Sequence, residues 1–167
     1  MNERKRVRRI AQANEGQRRL FVIDIENVVG GAQNVTVEGA RWARRMLERE
    51  LGMQNDQHAV VAVGYSAGLL PAAHAFPGKS LAVRYGASGA DTALIDAIDA
   101  SHAARRYDQI VIVSGDGIFT DFAAEITNYG AKVIVAGHPG GVSARLRFAA
   151  HETIYFSTTY DLALEAA

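Results

Sequence analysis

A three-layer α/β/α sandwich around a mainly parallel sheet is the fold this sequence predicts. Three observations carry it. Runs rich in Val and Ile alternate along the chain with segments of helical pattern. Those runs are near-continuous in apolar residues instead of alternating with polar ones, which marks strands covered on both faces. The chain has 167 residues, 49% of them hydrophobic, enough for one such core with helices on either side.

The elements follow in order. "LFVID" (20–24) is the first strand, and "VEGARWARRMLEREL" (37–51) has the period of a long helix. "HAVVAVGY" (58–65) is the second strand. A helix over 66–75 follows, which Pro71 shortens or kinks by removing a backbone donor. "SLAVRY" (80–85) is the third strand, and 89–106 is helical. "QIVIVSG" (109–115) is the fourth strand, and the helix after it ends at Gly130, a C-cap glycine ahead of "AKVIVAG" (131–137). A helix near 140–150 and a last strand, "TIYF" (153–156), complete five or six strands. No repeat or low-complexity tract interrupts 20–167, which reads as one domain.

Composition narrows the function. Cysteine is absent, which excludes a disulfide framework, a thiolate nucleophile and a zinc–thiolate site. The five histidines show no paired spacing. No stretch approaches the roughly 20 apolar residues of a membrane span. The N-terminus lacks the apolar core of a signal peptide, so a cytoplasmic location is expected. The net charge of zero is uneven: residues 1–19 hold seven Lys/Arg against two Glu, a net of +5, leaving −5 on the rest. This basic, flexible arm suits either nucleic-acid contact or plain solvation.

In parallel sheets of this kind, ligands gather outside the carboxyl ends of the strands, where strand order reverses. Asp24 falls at the carboxyl end of the first strand and Asp116 just past that of the fourth. If those strands are neighbours, about 4.8 Å apart, the two carboxylates repel unless a proton or a cation intervenes. Oxygen ligands without Cys or paired His point to Mg²⁺ or Mn²⁺. Asp91, opening the middle helix, aims a third acid at the same edge. Asp96 lies about 140° round that helix and is a secondary candidate. Taken singly, Asp91 reads as a helix cap and Asp116 as a turn residue. An acid directly after four apolar strand residues, as at Asp24, is costly without a partner. Glu26 is not read as a ligand; it reads as a helix-side or surface partner for an arginine.

"FVIDIEN", "GADTALIDAI" and "IVSGDGIF", in this order and at these separations, resemble the NYN domain, a branch of the PIN-like nuclease superfamily. The resemblance runs from residue 20 to about 137. It implies a Rossmann-like (PIN-like) fold and a metal-dependent ribonuclease that hydrolyses RNA phosphodiesters and leaves a 5′-phosphate. Its Asp-x-x-Asn is matched by Asp24 and Asn27, its small residue plus Asp by Ala90 and Asp91 with Asp96 five later, and its Ser-Gly-Asp by Ser114, Gly115 and Asp116. On this pattern Asp24, Asp91 and Asp116 hold Mg²⁺ or Mn²⁺, with Asn27 and Ser114 as neutral oxygen donors nearby. One departure stands out: Ile118 occupies the place of a second family acid, and Asp121, about one helical turn on, is its partial substitute. A weakened enzyme, or a non-catalytic RNA-binding or assembly module on the same fold, is the alternative.

The implied partner is RNA, single-stranded or structured. An acidic site repels a polyanion, so basic residues are expected beside it. Arg41, Arg45 and Arg49 form one helical stripe, and Arg145 and Arg147 lie on opposite sides of another helix, so only one of that pair faces a given ligand. Trp42 and Tyr65 can stack on bases or line the core. Apolar helix faces such as 93–98 serve either the core or a homodimer contact. "DIEN" fits the Asp-x-Asp nucleophile motif of haloacid-dehalogenase phosphatases poorly, because Glu26 stands where the second Asp belongs.

Overall fold

The computed structural model describes residues 16–86 and 89–160. Most of the expected basic leader, residues 1–15, lies outside them. Six strands form one sheet in the order β3-β2-β1-β4-β5-β6, and every neighbouring pair is parallel. They are β1 (Arg19–Asp24), β2 (His58–Val63), β3 (Ser80–Val83), β4 (Gln109–Val113), β5 (Lys132–Gly137) and β6 (Glu152–Tyr155). The order reverses between β1 and β4, whose registers match Ile23 to Val113. The chain therefore builds a doubly wound α/β sandwich with its switch point beside Asp24.

Alternation along each strand sorts the core into two layers. Phe21 and Ile23 of β1 face one side, packed with α1 (Ile25–Val29), α2 (Val37–Leu51) and α3 (Leu69–Ala75) through Val28, Ala43, Leu47 and Ala72. Leu20 and Val22 face the other side, against α4 (Gly89–Ala97), α5 (Ala100–Arg106), α6 (Thr120–Asn128) and α7 (Ala144–Ala149) through Leu94, Ala103, Ala123 and Leu146. Every residue of β1 and β4 is buried, as their unbroken apolar runs require.

Local signals set the element ends. Thr36 caps α2 by accepting from the Gly39 N–H at 3.1 Å, and Asp99 caps α5 through the His102 N–H at 2.7 Å. Pro71 falls in the first turn of α3, which starts at Leu69 after a short 3-10 turn over Ser66–Gly68. Gly130 has φ +95° and follows α6 as the expected cap. Within the expected homodimer or core run at 93–98, Ala93, Leu94 and Ile98 belong to the core. Arg18 and Arg19, counted with the basic leader in the sequence, are tied into the fold. Arg18 pairs with Asp108 at 2.8 Å, and Arg19 opens β1, where its Nη1 donates to the Leu51 carbonyl at 3.0 Å. Among the described residues no helix is long and apolar enough to cross a membrane.

Candidate active site

The even face of β1 decides where its acid points. Leu20 and Val22 contact the α4 layer, so Asp24, two residues on, turns toward α4 as well. The strand ends there because Asp24 becomes a helix cap, its Oδ1 accepting from the Asn27 N–H at 3.2 Å. Its other oxygen accepts from Ser114 Oγ at 3.3 Å, at the end of the neighbouring β4. Asp91 enters from the first turn of α4, and the two carboxyl groups share a hydrogen bond. Both are almost closed off, Asp24 at 5% exposure and Asp91 at 7%. One oxygen of Asp91, Oδ1, is buried with no hydrogen-bond partner.

This burial has an electrostatic consequence. Loss of water lifts the Asp24 pKa from 3.8 to about 8; the negative charge of Asp91 and its hydrogen bond add to that, Glu26 adds more, and only the Asn27 N–H opposes. Burial raises Asp91 too; the hydrogen bond from Asp24 lowers it, and the charges of Asp116 and Glu26 raise it further. Neighbouring carboxyl groups that cannot both ionise in comfort take up a proton or a cation.

The pair opens onto a cleft of about 340 Å³. Asp24, Glu26 and Asn27 line one wall, the Gly30-Gly31-Ala32 turn the rim, and Gly89, Ala90 and Asp91 the other wall. Glu26 is the residue that the sequence reading placed wrongly. The strand ends at Asp24, and Glu26 stands in the first turn of α1, where its side chain lines the cleft. Its Oε1 accepts from the Gly64 N–H at 2.8 Å, and among the described residues no arginine pairs with it. The signal was present in the sequence: a capping Asp, five helical residues and "GG" describe one short helix turn.

The other predicted residues are placed as follows. Asn27 Oδ1 accepts from the Gly115 N–H at 3.1 Å, so it latches α1 to the loop after β4. Ser114 is buried, and its Oγ also accepts from the Asp116 N–H at 3.2 Å. Asp116 lies near enough for its charge to raise Asp91, yet it is exposed and does not line the cleft. Its Oδ1 accepts from the Ile118 N–H at 3.0 Å, capping the 3-10 turn Gly117–Phe119, which is the turn role that "SGDG" also allowed. Among the described residues, no group of three or more His, Asp or Glu side chains converges closely enough to hold one ion. Asp96 is not brought in; it pairs with Arg84 at 2.7 Å on the surface. Asp121 is exposed in the first turn of α6, and Ile118 is 41% exposed.

The loop carrying Asp116 is braced from behind. A Cβ on Gly115 would collide with the Gly141 carbonyl, so only glycine fits, and the Ser143 N–H donates to the Gly115 carbonyl at 2.9 Å. The expected basic residues are spread out. Arg41, Arg45 and Arg49 are exposed on α2, which runs from the carboxyl edge to the amino edge, where Leu51 meets Arg19. Arg145 is exposed on α7, which packs against the 3-10 turn after Asp116. Trp42 packs against Tyr160, whereas Tyr65 is exposed just beyond β2.

A parallel sandwich with an acid-lined cleft at its switch point has the form of a PIN-like nuclease fold. A family model of the NYN domain matches residues 54–161, and the chain belongs to that family. The matched span includes Asp91 and Asp116 but starts after Asp24, so the place of Asp24 in the site rests on the contacts above. Comparison with curated proteins gave no match. Among solved structures, a Vibrio parahaemolyticus protein of unknown function is similar at TM-score 0.60 and 22% identity, over 83% of this chain and 92% of that one. That likeness speaks for the fold alone.

Proposed function

We propose that the protein is a metal-dependent ribonuclease that hydrolyses RNA phosphodiesters at the Asp24–Asp91 cleft. One observation carries the reading: two buried carboxyl groups face each other and, among the described residues, no cationic side chain pairs with them and one of their oxygens has no hydrogen-bond partner. A buried acid pair is costly, and a divalent cation removes the cost. The donors are all oxygen, which suits Mg²⁺ or Mn²⁺. Asp24 and Asp91 would hold the ion, and Asp116, outside that pair on the loop after β4, would add its negative charge beside them. Bound there, the ion would neutralise the cleft toward a phosphodiester and make a coordinated water more acidic.

The chain's own groups prepare that site. Ser114 orients Asp24 through its hydroxyl and ties it to the backbone of Asp116. Asn27 spends its side-chain oxygen on Gly115 and so fixes the distance between the α1 and β4 sides of the cleft. Arg145 and Arg41 lie at or toward the same edge and supply positive charge for the RNA backbone. RNA is the proposed partner, the domain is proposed to span 20–167, and residues 1–19 are proposed as a basic extension.

Cleavage of a labelled RNA with Mg²⁺ or Mn²⁺, its arrest by chelator, and its loss in Asp24→Asn with the fold retained test the reading. A second reading, an RNA-binding or assembly module, is favoured by one feature, the exposed, capping Asp116 with Ile118 in the position of a family acid. It is the outcome if RNA binds and no ion supports cleavage.

A further inference from the structure

We propose that Glu26 is a further catalytic residue, accepting a hydrogen bond from the water that attacks the phosphodiester and holding it in line. This rests on the ribonuclease reading above. Three observations single out Glu26. It lines the cleft together with Asp24 and Asp91, which Asp116 does not. One of its oxygens is fixed, since Oε1 accepts from the Gly64 N–H at 2.8 Å, just past the end of β2. The other oxygen, Oε2, has no hydrogen bond among the described residues and belongs to a side chain that faces the cleft.

The backbone is shaped for this carboxylate. A Cβ on Gly64 would stand 3.2 Å from Oε1 and 3.3 Å from Oε2, tighter than an ordinary contact, so a glycine lets Glu26 lie flat against the end of β2. Its charge bears on both Asp24 and Asp91, yet Glu26 does not close with them into a group of three that could share one ion. A carboxylate that lines the same cleft as the pair and keeps one oxygen without a hydrogen bond among the described residues suits an ordered water between itself and the pair.

In the reaction, the water oxygen forms a bond to phosphorus and the P–O3′ bond breaks, its electron pair leaving with O3′. The water gives up one proton to solvent and O3′ takes one from solvent, so the products are a 5′-phosphate and a 3′-hydroxyl. Glu26 is unchanged at the end. Its part is orientation, and misplacing an attacking group by about 1 Å costs on the order of 100-fold in rate.

Glu26→Gln discriminates, because the amide carbonyl can keep the Gly64 bond while an NH₂ donor replaces the accepting oxygen. We expect its thermal midpoint and Mn²⁺ affinity, by calorimetry, to stay near wild type. Its kcat on single-stranded RNA should fall roughly 100-fold with KM little changed. Glu26→Ala gives up the Gly64 bond and should lose stability as well. Wild-type turnover in Glu26→Gln overturns the proposal. So does a loss of Mn²⁺ affinity as large as in Asp24→Asn, which makes Glu26 an ion ligand. A Gln variant as unstable as the Ala variant assigns a structural role and overturns it too. Failure of the ribonuclease reading looks different: the wild-type protein itself then cleaves no RNA at any ion concentration.

Discussion

The two edges of the sheet treat charge in opposite ways. At the amino edge, Arg18 pairs with Asp108 at 2.8 Å and Lys132 with Glu152 at 2.9 Å. Arg19 lies over the Phe21 ring there and donates to a carbonyl. At the carboxyl edge, Asp24, Glu26, Asp91 and Asp116 gather, and among the described residues none has a Lys or Arg partner. The chain has 18 Lys and Arg, so cations were available. A fold that pairs its acids at one edge and leaves four without such partners at the other marks the second as the candidate functional edge.

Removing an acid from the carboxyl edge should have the largest effect. Asp91→Asn is expected to lower ion-dependent RNA cleavage about 100-fold or more, since an ion's stabilisation of transition-state charge is worth several kcal/mol and each 1.4 kcal/mol is about tenfold. The fold should hold, checked by circular dichroism. Equal cleavage by the variant would break the contrast between the edges.

Next comes the pH dependence of the ion-free protein. The folded state holds the Asp24 proton up to about pH 8, whereas the unfolded chain releases it near 3.8. Between those values the folded state binds more protons, so the stabilisation is complete at low pH and is lost as pH rises through about 8. Urea unfolding of wild type minus that of Asp24→Asn should decline over this window, at no more than about 1.4 kcal/mol per pH unit for one proton. A flat or rising difference would contradict the burial of that carboxyl group.

Gly115→Ala drives a methyl group into the Gly141 carbonyl and should destabilise by about 1–3 kcal/mol, seen as a thermal midpoint lower by about 5 °C. The smallest effect belongs to the amino edge. Asp108 is held down at about 2 by the Arg18 side chain, but both groups are exposed. Asp108→Asn should leave cleavage unchanged and shift the midpoint by less than about 3 °C.

The sheet was legible because unbroken Val/Ile runs carry their own burial, and Asp24 was legible because it follows one. The strand order and the β1–β4 adjacency came only with coordinates, since runs do not reveal which neighbours they choose. Glu26 was missed because an acid beside a strand end reads as a solvated charge, although residues two apart on a strand share a face and even a continued strand would keep it on the side of Asp24. Asp116 posed the reverse problem: the same "SGDG" fits a ligand and a turn cap, and its hydrogen bond to Ile118 shows the cap. The arginine stripe on α2 was correct as a stripe, yet periodicity gives a face and not a direction, and this helix carries Arg49 away from the cleft.

The parallel pairing of β1 with β4 has a consequence for how the molecule is made. Asp24 and Ser114 are 90 residues apart in the chain, so the first strand must wait for the fourth before it is enclosed on both sides. Contacts of such long separation close late and slowly. A nascent chain released from synthesis before β4 is complete would therefore carry the first acid without the hydroxyl that orients it, and its cleft would have only one wall.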